Sequence, residues 1–131
     1  MRRYWDASAL IDALHDSRVE AKALESDQWT RKHALAEVFA TLTGGRLGFQ
    51  YLPDDAAALI REISAGMQFI ELDLPETLAA FDAAQRRGVR GGRVHDWLHV
   101  CAARKAGVAE LLTENLRDFA DLEEGFSVTP P

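Results

Sequence analysis

Short apolar runs alternate with longer stretches of helical periodicity along this chain. Arg3-Tyr4-Trp5 is a brief aromatic run that stops at Asp6 and reads as a strand. Ser8 to Leu14 then carries apolar side chains at helical spacing, with Ser8 placed to cap them. Ser17 to Ser26 mixes Glu, Ala, Lys and Leu and predicts a second, more exposed helix, followed by a strand at Gln28-Trp29-Thr30. From His33 the spacing puts Leu35, Val38, Phe39 and Leu42 on one helix face, and Gly44-Gly45 stops that helix. Pro53-Asp54-Asp55 opens another, with proline in the first turn and acids at the positive dipole end, and it closes at Gly66.

Met67 to Leu72 alternates as a strand does, and Pro75-Glu76 starts a helix that ends near Gly88. Arg86 to Arg93, rich in arginine and glycine, is the clearest loop. A helix from about Val94 to Ala106, its cap Gly107, and a strand from Glu110 to Thr113 come next. A helical turn after Asn115 and a last strand around Phe126 to Val128 finish the pattern. Strands alternating with helices predict a parallel α/β sheet covered on both faces. With no internal repeat or linker, a single domain over 1–131 is expected.

Composition narrows the function classes. An apolar share of 47% with 27% charged residues is that of a globular chain and excludes disorder. Cys101 is the sole cysteine, which excludes an intrachain disulfide and a cysteine-clustered zinc ribbon and fits a reducing cytoplasm. No apolar run approaches the ~20 residues of a membrane span. Behind Arg2-Arg3 there is no apolar stretch, so neither a signal peptide nor a membrane partner is expected. The net charge of −6 argues against passive coating of nucleic acid. It leaves room for a nuclease, because acids gathered around a divalent cation lower the net charge while the cation offsets their repulsion of phosphate.

An open parallel sheet places its chemistry beyond the carboxyl ends of its strands, where strand order reverses. Asp6 follows the first strand immediately, and Asn115 and Asp118 follow the strand that ends at Thr113. Asp96 sits in the first turn of the helix after the arginine loop. Glu37 lies mid-helix among Leu35, Ala36, Val38 and Phe39, where burying it unpaired would be costly. Each has a plainer role open to it: turn or cap residue for Asp6 and Asp118, dipole partner for Asp96, and a solvent-facing acid near Lys32 or Arg46 for Glu37.

Four segments together carry a family likeness. Asp6-Ala7-Ser8-Ala9-Leu10, His33-Ala-Leu-Ala-Glu37-Val-Phe, Val94-His-Asp96-Trp-Leu-His-Val-Cys-Ala-Ala103 and Leu112-Thr-Glu-Asn115-Leu-Arg-Asp118-Phe119 resemble the motifs of a PIN domain. They are most similar to those of the VapC-type toxins of toxin–antitoxin pairs, in the same order and over nearly the whole chain. The resemblance implies a PIN-like three-layer α/β/α domain with a central, mostly parallel sheet. It implies a Mg²⁺- or Mn²⁺-dependent endoribonuclease with Asp6, Glu37 and Asp96 as catalytic and metal-binding acids. A homodimer and a cognate antitoxin lying over the acid cleft are implied as well. Two positions depart from the pattern: Ala7 stands where the family often has Thr, leaving Ser8 as the substitute hydroxyl, and Asn115 stands where an aspartate is common. Asn115, Asp118 and Ser8 are therefore auxiliary, with Asn115 offering an amide oxygen but no charge.

Hard cations such as Mg²⁺ and Mn²⁺ prefer oxygen ligands, and the chain presents no convincing side-chain nucleophile. Arg87, Arg90 and Arg93 form the concentrated positive charge and are the candidate RNA-backbone contacts, with a solvated linker as the alternative. His95 and His99 stand at i and i+4, as in HExxH zinc sites, but without the glutamate or a third ligand. An HD phosphohydrolase would be all-helical, against the strands at Phe69 and Leu112. Trp5, Trp29 and Trp97 read as core or interface, Cys101 as buried, and His33 as a hydrogen-bonding residue at its helix start. Trp29, Phe39, Phe49, Tyr51 and Leu52 exceed what one small core needs and would form a partner-seeking patch if exposed. Two rival classes remain open: a catalytically weakened PIN-like module that binds RNA or protein, and a phosphoacceptor domain centred on Asp6. The second usually wants a lysine after a later strand, and Lys32 and Lys105 fall on helices.

Overall fold

The computed structural model describes residues 1–122 and 125–131. Its five short strands are β1 (Arg3–Trp5), β2 (Gln28–Thr30), β3 (Gln68–Phe69), β4 (Glu110–Leu112) and β5 (Ser127–Thr129). They pair in the order β3-β2-β1-β4-β5, every pair parallel. Seven helices connect and cover them: α1 (Ala7–His15), α2 (Ser17–Ala23), α3 (Lys32–Gly44), α4 (Pro53–Ser64), α5 (Leu74–Ala83), α6 (Arg93–Ala106) and α7 (Leu116–Phe119).

Successive strand residues point to opposite faces, and β1 and β4 each supply both cores. Tyr4 and Leu111 join Trp97, Val100, Phe119 and Leu122 on the α5/α6 side. Trp5 and Leu112 join Leu10, Val38 and Leu42 on the α1/α3/α4 side. This is why these strands read as unbroken apolar runs: parallel strands buried on both faces do not alternate. The result is the expected three-layer α/β/α domain with a fully parallel sheet.

β1 lies between β2, which follows it, and β4, which arrives after the long excursion through α3 to α6. Strand order therefore reverses between β1 and β4, and the residues just past them, Asp6 and Thr113, stand side by side at the switch point.

Several local expectations are corrected. Asp6, not Ser8, caps α1, accepting from the Ala9 amide at 2.9 Å, because the helix begins two residues earlier than a cap at Ser8 would allow. On α3 the core-facing line is Ala34, Val38 and Leu42, each four residues apart, which leaves Phe39 exposed at 38%. α2 stops at Ala23, and β3 keeps only Gln68 and Phe69. Shortly after β3, Asp73 and Glu76 close a reciprocal capping box that starts α5. Gly45 and Gly107 end α3 and α6 in the left-handed region, at φ 79° and 69°, as their placement predicted.

Of the surplus apolar groups, Phe39, Phe49 and Leu52 are exposed, and Phe49 packs on Tyr51 and His15. Trp29 does not belong with them. Its indole donates to Asp27 and lies under the Arg2 guanidinium, part-buried against the α5/α6 core.

Candidate active site at the carboxyl edge of the sheet

Asp6 leaves β1 at its carboxyl end and is only 3% exposed. Its Oδ1 accepts from the Ala9 amide and from Ser8 Oγ at 2.7 Å, and its Oδ2 accepts from Thr113 Oγ1 at 2.6 Å. Both hydroxyls also accept from amides of the segment that follows β4. Ser8 Oγ accepts from the Glu114 amide, and Thr113 Oγ1 accepts from the Asn115 amide, each at 2.9 Å. Two hydroxyls thus stitch β1–α1 to β4–α7 through one carboxylate. Burial raises the Asp6 pKa above the ordinary carboxylate value, against the pull of these donors.

Asp96 occupies the first turn of α6 and is half-buried. Its carboxylate takes no hydrogen bond among the described residues. Burial, then the Asp118 charge, then that of Asp6, raise its pKa, while His99 and Arg93 oppose them. Asp6, Asp96 and Asp118 therefore share one electrostatic neighbourhood, on three different elements.

Glu37 enters from α3. Its Oε1 accepts from His99 Nε2 at 2.9 Å and lies 3.9 Å from His33 Nε2. Burial would raise its pKa, but the His99 hydrogen bond, with His99, His33 and Arg31 close by, outweighs that and holds it below the usual carboxylate range. His99, one turn beyond Asp96 on α6 and 3% exposed, also bonds the Tyr4 hydroxyl through Nδ1 at 2.7 Å. Glu37, Ser8 and Asn115 line a cleft of about 560 Å³ together with Asp12, Arg46 and Glu114. Burial, then a hydrogen bond shared with Glu114 and that group's charge, pushes the Asp12 pKa up to about 7.

Among the described residues no three His, Cys, Asp or Glu side chains are gathered closely enough to hold a metal ion. The donor chemistry nevertheless suits a hard divalent cation. The carboxylates of Asp96 and Asp118 and the Oε2 of Glu37 carry no hydrogen bond among the described residues, and Mg²⁺ is held through one or two carboxylates while keeping several waters. The Asn115 side chain likewise has no hydrogen bond among these residues, although the residue begins α7.

The arginines of the 86–93 loop divide. Arg87 donates to the Leu122 carbonyl at 3.0 Å and covers Trp97. Arg93 pairs with Asp121 at 2.7 Å and reaches the Asp118 and Gly88 carbonyls, fastening the start of α6 to the segment after β4. Arg90 is exposed and makes no hydrogen bond among the described residues. The two histidines of α6 part company: His99 turns inward, while His95 is exposed and lies parallel to His33 at 5.9 Å. Instead of hydrogen-bonding at its helix start, His33 makes that ring contact and the 3.9 Å approach to Glu37. Cys101, Trp5 and Trp97 are buried as expected.

Sequence reasoning missed Thr113, Tyr4, Arg31 and His99 as site residues. The available signal was a histidine three residues after Asp96 on an otherwise apolar helix face.

Comparison with protein-family models gives no match, and comparison with curated proteins gives none. Solved structures do share the architecture. PAE2754 from Pyrobaculum aerophilum aligns with a TM-score of 0.73 at 15% identity, over 98% of this chain and 89% of that one. VapBC2 from Rickettsia felis, solved bound to a DNA fragment from their promoter, gives 0.68 at 12% identity, over 98% and 97%. VapBC-1 from nontypeable Haemophilus influenzae gives 0.62 at 15%, over 99% and 98%. At these identities the likeness is one of fold, and the chain has the PIN-type α/β/α fold that its motifs implied.

Proposed function

We propose that this chain is a divalent-cation-dependent endoribonuclease, the toxin of a type II toxin–antitoxin pair. The observation that carries this reading is that the charges of Asp6, at the β1/β4 switch point, and of Asp118 both act on the half-buried Asp96, in a fold shared with VapBC complexes. A half-buried acid repelled by two others is costly unless positive charge joins it.

Asp6, Glu37 and Asp96 are the residues that would hold Mg²⁺ or Mn²⁺, with Asp118 and the Asn115 amide oxygen beside them. A bound cation of this kind activates water and stabilises charge on phosphate oxygens. The chain's own part is positional. Ser8 and Thr113 fix the Asp6 carboxylate, and the cleft beside Glu37 admits the substrate. Arg90, and Arg46 within the cleft, offer charge to the RNA backbone. Arg87 and Arg93 support the head of α6 and contribute less direct contact. In-line hydrolysis leaves a 5′-phosphate and a 3′-hydroxyl. The exposed Phe39, Phe49 and Leu52, with Leu47 at the cleft rim, are the apolar surface on which an antitoxin or a second copy would close.

Purified protein with Mg²⁺ or Mn²⁺ should cut single-stranded or looped RNA, and Asp6→Asn should abolish cutting while the protein stays folded. Undiminished cleavage by that variant would overturn the assignment. The second reading, binding without cleavage, draws on the amide at Asn115 and on the lack of a three-ligand group among the described residues. Under it, RNA binds but is never cut, with or without metal. Asn115→Asp should tighten Mn²⁺ binding and Asn115→Ala weaken it, as calorimetric titration would show.

A further inference from the structure

Glu37 differs from the other acids in having a buried histidine as its hydrogen-bond partner. His99 is buried on the apolar face of α6, where packing alone would favour an aliphatic side chain. Both of its ring nitrogens are used: Nδ1 meets the Tyr4 hydroxyl at 2.7 Å, and Nε2 meets Glu37 Oε1 at 2.9 Å. Tyr4 is fully buried on β1, and burial keeps its phenol protonated. The buried Arg31 guanidinium lies beside that phenol. With the phenol oxygen turned to a cation, its proton is directed to Nδ1, which therefore accepts. A histidine accepting at Nδ1 carries its hydrogen at Nε2, and that hydrogen points at Glu37 Oε1. Only Oε1 is engaged in this way. Oε2 has no hydrogen bond among the described residues, and Glu37 lines the open cleft.

We propose that His99, oriented by Tyr4, is a positioning residue that grips one oxygen of Glu37 and presents the other to the divalent cation. The proposal rests on the nuclease reading above. Histidines bound to metals are commonly oriented by a carboxylate behind them, and losing such outer partners typically costs 10–100-fold in metal affinity. Here the order is inverted, with the carboxylate facing the site and the imidazole behind it.

The test is Mn²⁺ affinity, read by electron paramagnetic resonance titration of the whole chain, with thermal melting to confirm folding. His99→Gln keeps an amide donor near the Nε2 position, and His99→Asn keeps a polar group only near Nδ1. The expected result is affinity within about threefold of wild type for His99→Gln and a loss of about tenfold for His99→Asn. Tyr4→Phe, which leaves the imidazole in place but frees its orientation, should lose about threefold. In a Glu37→Gln background, His99→Asn should add no further loss, since the histidine acts through that carboxylate.

Equal affinities for the Gln and Asn variants would overturn the proposal, as would an undiminished His99→Asn effect without the Glu37 carboxylate. If His99→Asn fails to fold, wild-type affinity in Tyr4→Phe overturns it on its own. Failure of the underlying reading looks different: wild-type protein then binds no Mn²⁺ at all, and the positioning role falls with it.

Discussion

At the end of β1, every oxygen of the Asp6 carboxylate is occupied: a helix amide and two hydroxyls converge on it, and it caps α1 while joining β1 to β4. At the head of α6, the Asp96 carboxylate takes no hydrogen bond among the described residues and is subject to the charges of Asp118 and Asp6. Burial raises the pKa of both. The difference lies in what each does for the fold. Asp6 is part of the frame, so a change there disturbs stability and chemistry together. Asp96 is tolerated by the frame, which is the pattern expected of a group kept for binding at the expense of stability.

That contrast breaks most visibly at Asp6. Asp6→Ala removes the α1 cap and leaves the buried Thr113 hydroxyl and the part-buried Ser8 hydroxyl without their acceptor, and should destabilise by about 2–4 kcal/mol in urea denaturation. Asp6→Asn keeps an acceptor at the cap and should remain within about 1 kcal/mol of wild type. Thr113→Val, which removes the donor to Asp6 Oδ2 and the acceptor of the Asn115 amide, should cost about 1–2 kcal/mol.

Asp96→Asn should act in the opposite direction. An acid whose folded pKa is raised holds its proton better in the native state, so the native state loses stability as pH rises from the unfolded value through the folded one. Removing the charge abolishes that loss. The variant should match wild type below about pH 4 and melt higher at neutral pH, by no more than about 1 kcal/mol after solvent screening.

The smallest effect is expected at Asp12, on the cleft rim, whose pKa is pushed up to about 7 by burial and by its pairing with Glu114. Its contribution is present below the ordinary aspartate pKa and fades as pH rises through about 7. Asp12→Asn should therefore flatten the fall in melting temperature across that window. An unchanged fall in the variant would show that Asp12 and Glu114 do not share a proton.

Legibility in the sequence followed the same division. The frame was readable wherever one side chain type does one job: the aromatic run ending at Asp6, Gly45 and Gly107 after their helices, and the apolar β4. Asp6 and Asp96 could be named because chain position alone carries them to the carboxyl edge of a parallel sheet. The relations among residues were not readable. Nothing in Lys32 to Gly44 announces that Glu37 turns toward a histidine 62 residues later. Nor does the 86–93 loop reveal that Arg93 is taken by Asp121 and Arg87 by Trp97 and Leu122, while Arg90 stays exposed. Such pairings depend on how helices pack across the sheet, and periodicity does not record them. Phe39 failed for a simpler reason: a helix face inferred from apolar residues alone rotates when an alanine, here Ala34, supplies the contact.

On the proposed function, the half-buried Asp96 serves chemistry at this edge rather than the fold. That role is tested most directly by cleavage of single-stranded RNA in the presence of Mg²⁺ or Mn²⁺, comparing wild type with Asp96→Asn in samples whose melting is measured in parallel. The variant is expected to melt at or above the wild-type temperature and not to cut. Cutting at the wild-type rate by a well-folded Asp96→Asn protein would contradict that role.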